Sequence, residues 1–356
     1  SAITPKEDGR WAQTARFVMR RPVAVVMVSL VILTVLAAPI KNIVFSEVDS
    51  RVLPASNSAA IAAKVISDRF SGQEGNPVEI IVPEGALMGT QINQYTGEIA
   101  KVPGIMRIGD SQVAGDDVRI TAIHSMPPRT PEAEQLIKEI RKIRAPEGTL
   151  IGGVAADYAD AQIGIAKTMP WALLWIALGV LILLFIFTGS IILPIKAVIL
   201  NILSLGATLG AISWIFIDGH LKWLVGDFTT TGTVDTGSII LVAVVSFGLS
   251  MDYELFLLSR IKEEHDAGKS NIESVATGLQ RSARIITAAA SLLAIVFASF
   301  MLSGVTSIKM LGFGVAFAIM LDATLVRALL VPALMRLFGE RNWWAPKALK
   351  RFTINH

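Results

Sequence analysis

The sequence predicts an α-helical integral membrane protein of six transmembrane helices, with an inserted α+β subdomain of ferredoxin-like type. Three observations carry that expectation. Apolar residues make up 53% of the 356 residues and charged ones 17%, against about 25% charged in an ordinary soluble domain. The apolar residues gather into six stretches, each of about the twenty residues that a helix needs to cross a bilayer. Between the first and second lies a long polar segment that reads as alternating helices and strands, with Gly and Pro at the joints.

Taken in order, the chain opens with a cytoplasmic arm, residues 1–21, and a first transmembrane helix over Pro22–Ile40. An extracytoplasmic α+β domain is expected over residues 41–169. It reads helix (Ser58–Phe70), strand (Val78–Val82), helix (Ala86–Lys101), strand (Gly104–Asp110), strand (Asp117–Ile123), helix (Pro131–Arg144) and strand (Thr149–Gly153). After the first helix that order is β-α-β-β-α-β, a split βαβ arrangement. Gly115-Asp116-Asp117 supplies hairpin turn chemistry. The apolar positions Ile61, Val65, Ile66 and Phe70 are expected to pack on the sheet.

A five-helix bundle follows over residues 170–338, with spans near Pro170–Phe187, Ile191–Ile217, Ser238–Leu258, Arg284–Ser303 and Lys309–Arg336. Pro332 should kink or end the last of these. The cytoplasmic loop 259–283 should hold a solvated or interfacial amphipathic helix within Lys262–Ser282, and residues 339–356 form a cytoplasmic tail.

Lysine and arginine set the orientation. Arg10, Arg16, Arg20 and Arg21 precede the first span; Arg260, Lys262, Lys269, Arg281 and Arg284 follow the fourth; Arg336, Arg341, Lys347, Lys350 and Arg351 follow the sixth. The loop Asp218–Gly237 holds Lys222 against Asp218, Asp227 and Asp235. Both termini are therefore expected in the cytoplasm of a multi-pass plasma-membrane protein, with the α+β domain outside. A net charge of +3 that sits beside apolar spans gives no reason to expect nucleic acid. The absence of cysteine excludes thiolate metal sites and thiol catalysis. His124, His220, His265 and His356 form no metal-ligand pattern, and no cofactor is expected. A cleaved signal peptide is disfavoured, because the first span is too long for an h-region. The chain starts at Ser1 and carries no internal repeat of the six-span unit, so it is expected to be half of something larger.

The feature with most chemistry is Gly248-Leu-Ser-Met-Asp-Tyr-Glu254, which sets Asp252 inside an apolar span. A charge at such depth costs about 2.5–3.5 kcal/mol on insertion scales and is functional by default. Desolvation and a mobile partner can move an acid between its charged and neutral forms. Asp252 is therefore expected to carry a proton, with Tyr253 as hydrogen-bond partner or gate. The static alternative is that Asp252 only pins helices together. A possible secondary ionic network comprises Glu254, Arg284, Asp322 and Arg327. Glu254 points nearly opposite to Asp252 and is expected to pair with Arg284 or Arg260. Asp322 and Arg327, five apart on one helix, should pair with neighbouring helices rather than with each other, the alternative being a part in the proton relay. Lys196 reads as a snorkelling anchor, and Gly206-x-x-x-Gly210 as a helix contact.

These residues resemble a known family. Gly248-Leu-Ser-Met-Asp-Tyr-Glu-Leu-Phe-Leu-Leu-Ser-Arg260 is similar to the signature of the MmpL (mycobacterial membrane protein large) lipid transporters of the resistance-nodulation-division superfamily. Gly278–Ala290, Asp322-Ala-Thr-Leu-Val-Arg327 and Asn342-Trp-Trp-Ala-Pro346 are similar too. Members carry two six-span halves, each with a periplasmic porter domain, and the resemblance here is to the C-terminal half. It implies proton-motive-force-driven export of lipids or lipid-like molecules, such as mycolate-bearing trehalose glycolipids of the actinobacterial cell envelope. It also implies Asp252 and Tyr253 as one of two paired proton-relay motifs, the other being on the missing N-terminal half or on a second copy of this chain. The implied partners are membrane lipids, a lipid-like substrate and protons, in a secondary active transporter rather than an enzyme. Three other readings stay open. SecD and SecF share the layout of one span, outer domain and five spans; a passive lipid receptor would share the architecture; and Ser250 could be an intramembrane nucleophile, although no base is evident.

Overall fold

A computed structural model describes residues 9–70, 72–346 and 349; Lys347, Lys350, Arg351 and His356 lie outside them. In chain order the main elements are helices α1 (Arg10–Arg20) and α2 (Pro22–Ala37), strand β1 (Phe45–Ser46), α3 (Ser58–Arg69), β2 (Val78–Val82), α4 (Gly89–Ile99), β3 (Ile105–Ile108), β4 (Gln112–Ala114), β5 (Asp117–His124), α5 (Pro131–Lys142) and β6 (Leu150–Gly152). There follow α6 (Val154–Thr188), α7 (Ile192–Ile212), α8 (Lys222–Val225), β7 (Val234–Asp235), α9 (Thr236–Asp266), α10 (Asn271–Ser299), α11 (Thr306–Leu321) and α12 (Val331–Phe338). Two π-helical segments, Ser213–Ile217 and Asp322–Leu330, extend α7 and join α11 to α12. The chain divides into a helical unit (Ser1–Ile43, Ala172–Gly232, Gly237–His356) and an α/β unit (Val44–Trp171, Thr233–Thr236).

Six helical stretches are long and apolar enough to cross a membrane: Pro22–Asn42, Val154–Thr188, Ile192–Ile217, Thr236–Asp266, Asn271–Leu302 and Thr306–Trp343. The helix expected from Pro170 begins sixteen residues earlier in the α/β unit, and Pro170 lies inside it. Hydropathy marks only the apolar part of such a helix. Residues 259–283, expected as a loop with its own amphipathic helix, are instead a helical hairpin. α9 runs on to Asp266, the chain turns at Gly268 (φ +88°), and α10 starts at Asn271 behind the Ser270 cap, whose Oγ accepts from the Glu273 N–H. Ser270-x-x-Glu273 is the spacing of a capping box. The arm before the first span holds α1, an amphipathic helix that buries Ala12, Ala15, Val18 and Met19.

Small residues let the helices close. A Cβ on Gly210 would come 2.1 Å from the Leu36 carbonyl oxygen and 2.8 Å from Ala37 Cα, so α2 and α7 touch backbone to backbone there. Gly312 meets the Phe297 carbonyl oxygen in the same way, its added Cβ lying 2.6 Å away.

In the α/β unit the main sheet has the order β3-β5-β2-β6, antiparallel throughout, with β4 paired to β5. Strand periodicity puts Val78, Ile80, Val82, Val118, Ile120 and Ala122 on one face. Against it pack Ile92, Tyr95 and Ile99 of α4, Leu136, Ile137 and Ile140 of α5, and Ala155, Ala156 and Ala159 of α6. The turn between β4 and β5 is Gly115-Asp116, with Gly115 at φ +63°. With that face already covered, α3 stays outside the core. Ile61, Val65, Ile66 and Phe70 are 43–61% exposed rather than packed on the sheet. A pairing that no local pattern announces joins β1 to β7, residues almost two hundred apart in the chain. Ser46 Oγ and Thr233 Oγ1 lie 2.7 Å apart, and Thr236 Oγ1 donates to the Ser46 carbonyl at 3.1 Å.

Candidate functional site

Successive helical residues turn by about 100°, so the motif on α9 addresses several directions at once. Gly237, Leu241, Val244, Gly248 and Asp252 form a stripe that is exposed on the chain. Ser246, Ser250 and Glu254, spaced four apart, form a second stripe that is buried. Tyr253 lies between the two, partly buried. Asp252 makes no hydrogen bond or ion pair with another described residue.

The π segment Asp322–Leu330 supplies the other half of the site. A π-helix bonds residue i to i+5, as the Val331 N–H does to the Val326 carbonyl. Residues five apart then stack on one face, which an α-helix would place about 140° apart. Asp322 and Arg327 therefore pair with each other, contrary to the expectation from α-helical spacing: Arg327 Nη2 donates to Asp322 Oδ2. Pro332 does not end the last helix; it falls at the start of α12, which continues to Phe338.

Ser250 ties this pair to the motif helix. Its Oγ donates to Asp322 Oδ1 at 2.9 Å, and its carbonyl accepts from Arg327 Nη2 at 2.7 Å. The Arg327 guanidinium carbon lies 4.9 Å from the Tyr253 ring centroid, within cation–π range. Arg327 Nε and Nη1 are buried and without partners among the described residues. The cluster is thus a buried ion pair, 3% and 9% exposed at the side chains, bridged by a serine and capped by a phenol. It leaves donors to spare.

Glu254 does not meet Arg284 or Arg260. Arg260, on another face of the same helix, pairs with Glu263 at 2.8 Å, and Arg284 is exposed without an ion pair to a described residue. Glu254 faces instead a small cavity that it shares with Lys196. Lys196 is no snorkelling anchor: its Nζ turns inward and donates to Asn342 Oδ1. Ser250, Lys196 and Asn342 were the residues whose part sequence reasoning did not foresee. The four-residue spacing of Ser246, Ser250 and Glu254 was the available signal for the first, and the π-turn hid the rest. Among the described residues no group of three or more His, Asp or Glu could hold a metal ion.

A helical membrane unit with an ionic cluster between its spans defines a broad class, and comparison narrows it. The MMPL family profile matches residues 109–353. The SCO6666 protein of Streptomyces coelicolor is 38% identical over 98% of this chain and 48% of its own length. The trehalose monomycolate exporter MmpL3 of Mycobacterium tuberculosis is 32% identical over 97% of this chain and 38% of its own length. The mycolic acid-containing lipids exporter MmpL11 of Mycolicibacterium smegmatis is 31% identical over 96% and 37%. The chain belongs to the MMPL family, and it spans less than half the length of these relatives.

Proposed function

We propose that the chain is one half of a proton-motive-force-driven exporter of lipids or lipid-like molecules, coupled through Asp252, Tyr253 and the Asp322–Arg327 pair. The observation that carries this reading is the contrast on α9. A carboxylate with no hydrogen-bond or ion-pair partner among the described residues stands on an exposed stripe at membrane depth, one residue from a tyrosine that covers a buried ion pair. Left against acyl chains, that charge would cost about 2.5–3.5 kcal/mol. Its natural cover is protein, and the exposed apolar stripe of Leu241 and Val244, opened by Gly248 one turn before the acid, offers a face that another helix bundle packs against. The missing six-span half, or a second copy, would lie there and bring partners to Asp252.

Each proton crossing a 100 mV potential releases about 2.3 kcal/mol. That is enough to shift a two-state helix arrangement of similar energy gap. The names of two relatives, exporters of trehalose monomycolate and of mycolic lipids, support a lipid cargo. The β-α-β-β-α-β path and its sheet order support a ferredoxin-like porter subdomain for the α/β unit, and the lysine and arginine distribution supports placing it outside, with both termini cytoplasmic. The test is Asp252→Asn in the intact protein, reconstituted in vesicles with a pH gradient. Lipid transport should fall to background while the fold persists. Undiminished gradient-dependent transport in that variant would sink the proposal.

A further inference from the structure

The face of α9 turned away from Asp252 carries a second acid that the proposed coupling pair leaves unused. Glu254 is 5% exposed. Buried carboxylates are as a rule hydrogen-bonded, yet no described residue donates to this one. It faces Lys196 across a cavity walled by Leu200, Leu258, Val331 and Leu334, which gives a water molecule's centre about 10 Å³ to occupy. That is room for about one water. Acid and ammonium thus share a water-sized gap without forming a direct ion pair. Lys196 is held from behind: its Nζ donates to Asn342 Oδ1, lies 3.4 Å from Met335 Sδ and sits 5.1 Å from the Phe338 ring centroid.

On its other side Glu254 continues the buried stripe. Ser250, one turn earlier, is bonded to Asp322 and Arg327. The charged groups that act on Glu254 are Lys196 on α7 and Asp322 and Arg327 on the π segment; the α12 wall of the cavity brings none. The stripe therefore leads from the ionic cluster to a water-sized cavity lined by Lys196, whose Nζ is held by Asn342.

We propose that Glu254 is a second proton carrier, which takes a proton from the Ser250–Asp322–Arg327 cluster and releases it through water in the Lys196 cavity. This rests on the reading of the chain as half of a proton-driven transporter. On release, the O–H bond of the Glu254 carboxylic acid breaks and its electron pair stays on the carboxylate. The proton passes to the cavity water and on to bulk solvent. The Lys196 ammonium stabilises the carboxylate until the next proton arrives from the Asp322 side and re-forms the acid.

The test uses the intact protein in vesicles with a pH-sensitive dye inside. Under an imposed pH gradient, Glu254→Gln should slow proton uptake by at least about tenfold, a modest loss for a proton-transfer group, and Glu254→Asp should recover part of it. Uptake in Glu254→Gln equal to the parent's, with Asp252→Asn stopping it, overturns the role of Glu254 and leaves the coupling reading intact. Uptake that persists in Asp252→Asn overturns that reading itself. Infrared difference spectra taken on stepping the pH separate a lost carrier from a damaged fold. The parent should show a carboxylic-acid carbonyl band that Glu254→Gln removes and that Lys196→Met moves to another pH. A band unchanged in both variants overturns the proposal even where uptake has dropped.

Discussion

In the α/β unit the ion pairs lie at the surface, as between Arg107 and Glu74 or Arg119 and Glu79, all 40–56% exposed. In the helical unit Arg327 and Asp322 meet at 3% and 9% exposure, and Glu254 is buried with Lys196 opposite. Packing differs in parallel. The sheet closes on large aliphatic side chains such as Ile80, Ile120 and Ile137, while α2 and α7 close on the bare backbone of Gly210. A unit in water is held by burying apolar area, and its exposed pairs add about 0–1 kcal/mol each. Lipid is as apolar as leucine, so helices within it are held by close approach and by polar contacts. Buried charge in the second setting is therefore expensive to keep and informative where it is kept.

The sharpest way to break this comparison is to unpair the buried charges. Arg327→Leu leaves Asp322 alone in the bundle and should cost about 3–5 kcal/mol of stability, whereas Asp322→Leu with Arg327→Leu should cost far less, because the desolvation penalty goes with the pair. Thermal unfolding in detergent measures both. By contrast Asp252→Asn, on an exposed stripe, should barely move the midpoint. A double variant no more stable than Arg327→Leu would mean that the pair is not what Arg327 needs.

That contrast also marks how far the sequence could be read. The six spans, and the helices and strands around Ile80 and Ile137, were legible because apolar periodicity records burial directly. The motif pointed to α9, but not to which of its faces is covered. Asp322 and Arg327 were misjudged because spacing was converted with 3.6 residues per turn, and nothing local in Asp322-Ala-Thr-Leu-Val-Arg327 announces a π-turn. Phe45 and Val234 pair across most of the chain, and such contacts leave no periodic trace. Ile61 and Phe70 failed for the opposite reason: an apolar face predicts burial only where a partner surface is still free.

Glycine offers a second, smaller test. Gly210→Val should cost about 1–3 kcal/mol, since the new Cβ meets backbone atoms that cannot move aside. Gly248 has nothing within 4 Å of a built Cβ, so Gly248→Val should leave the unfolding of this chain unchanged. Association with a six-span partner is where the two variants should part: Gly248→Val is expected to weaken it, as read by crosslinking or native mass spectrometry. Equal losses of stability in the two variants would erase the distinction between an inner and an outer helix contact.

The smallest expected effect belongs to the α/β unit, where charge is meant to stay outside. His124 is the departure: 0% exposed, with Nε2 3.0 Å from the Asn76 carbonyl oxygen and Nδ1 unpartnered among the described residues. Burial holds its pKa below the ordinary histidine range, against the pull of the backbone hydrogen bond at Asn76. The folded unit thus binds this proton less readily than the unfolded chain, whose histidine titrates near about pH 6.5. Stability from this group is complete above that pH. It falls as pH drops through the window down to the folded pKa, by at most about 1.4 kcal/mol per pH unit. Amide exchange in the intact protein can read this locally. Protection of β2 and β5 should decline below about pH 6.5 in the parent and hold level in His124→Gln. The same decline in both proteins would assign the acid sensitivity to the surface carboxylates, and the unit would then keep even its buried histidine at no cost.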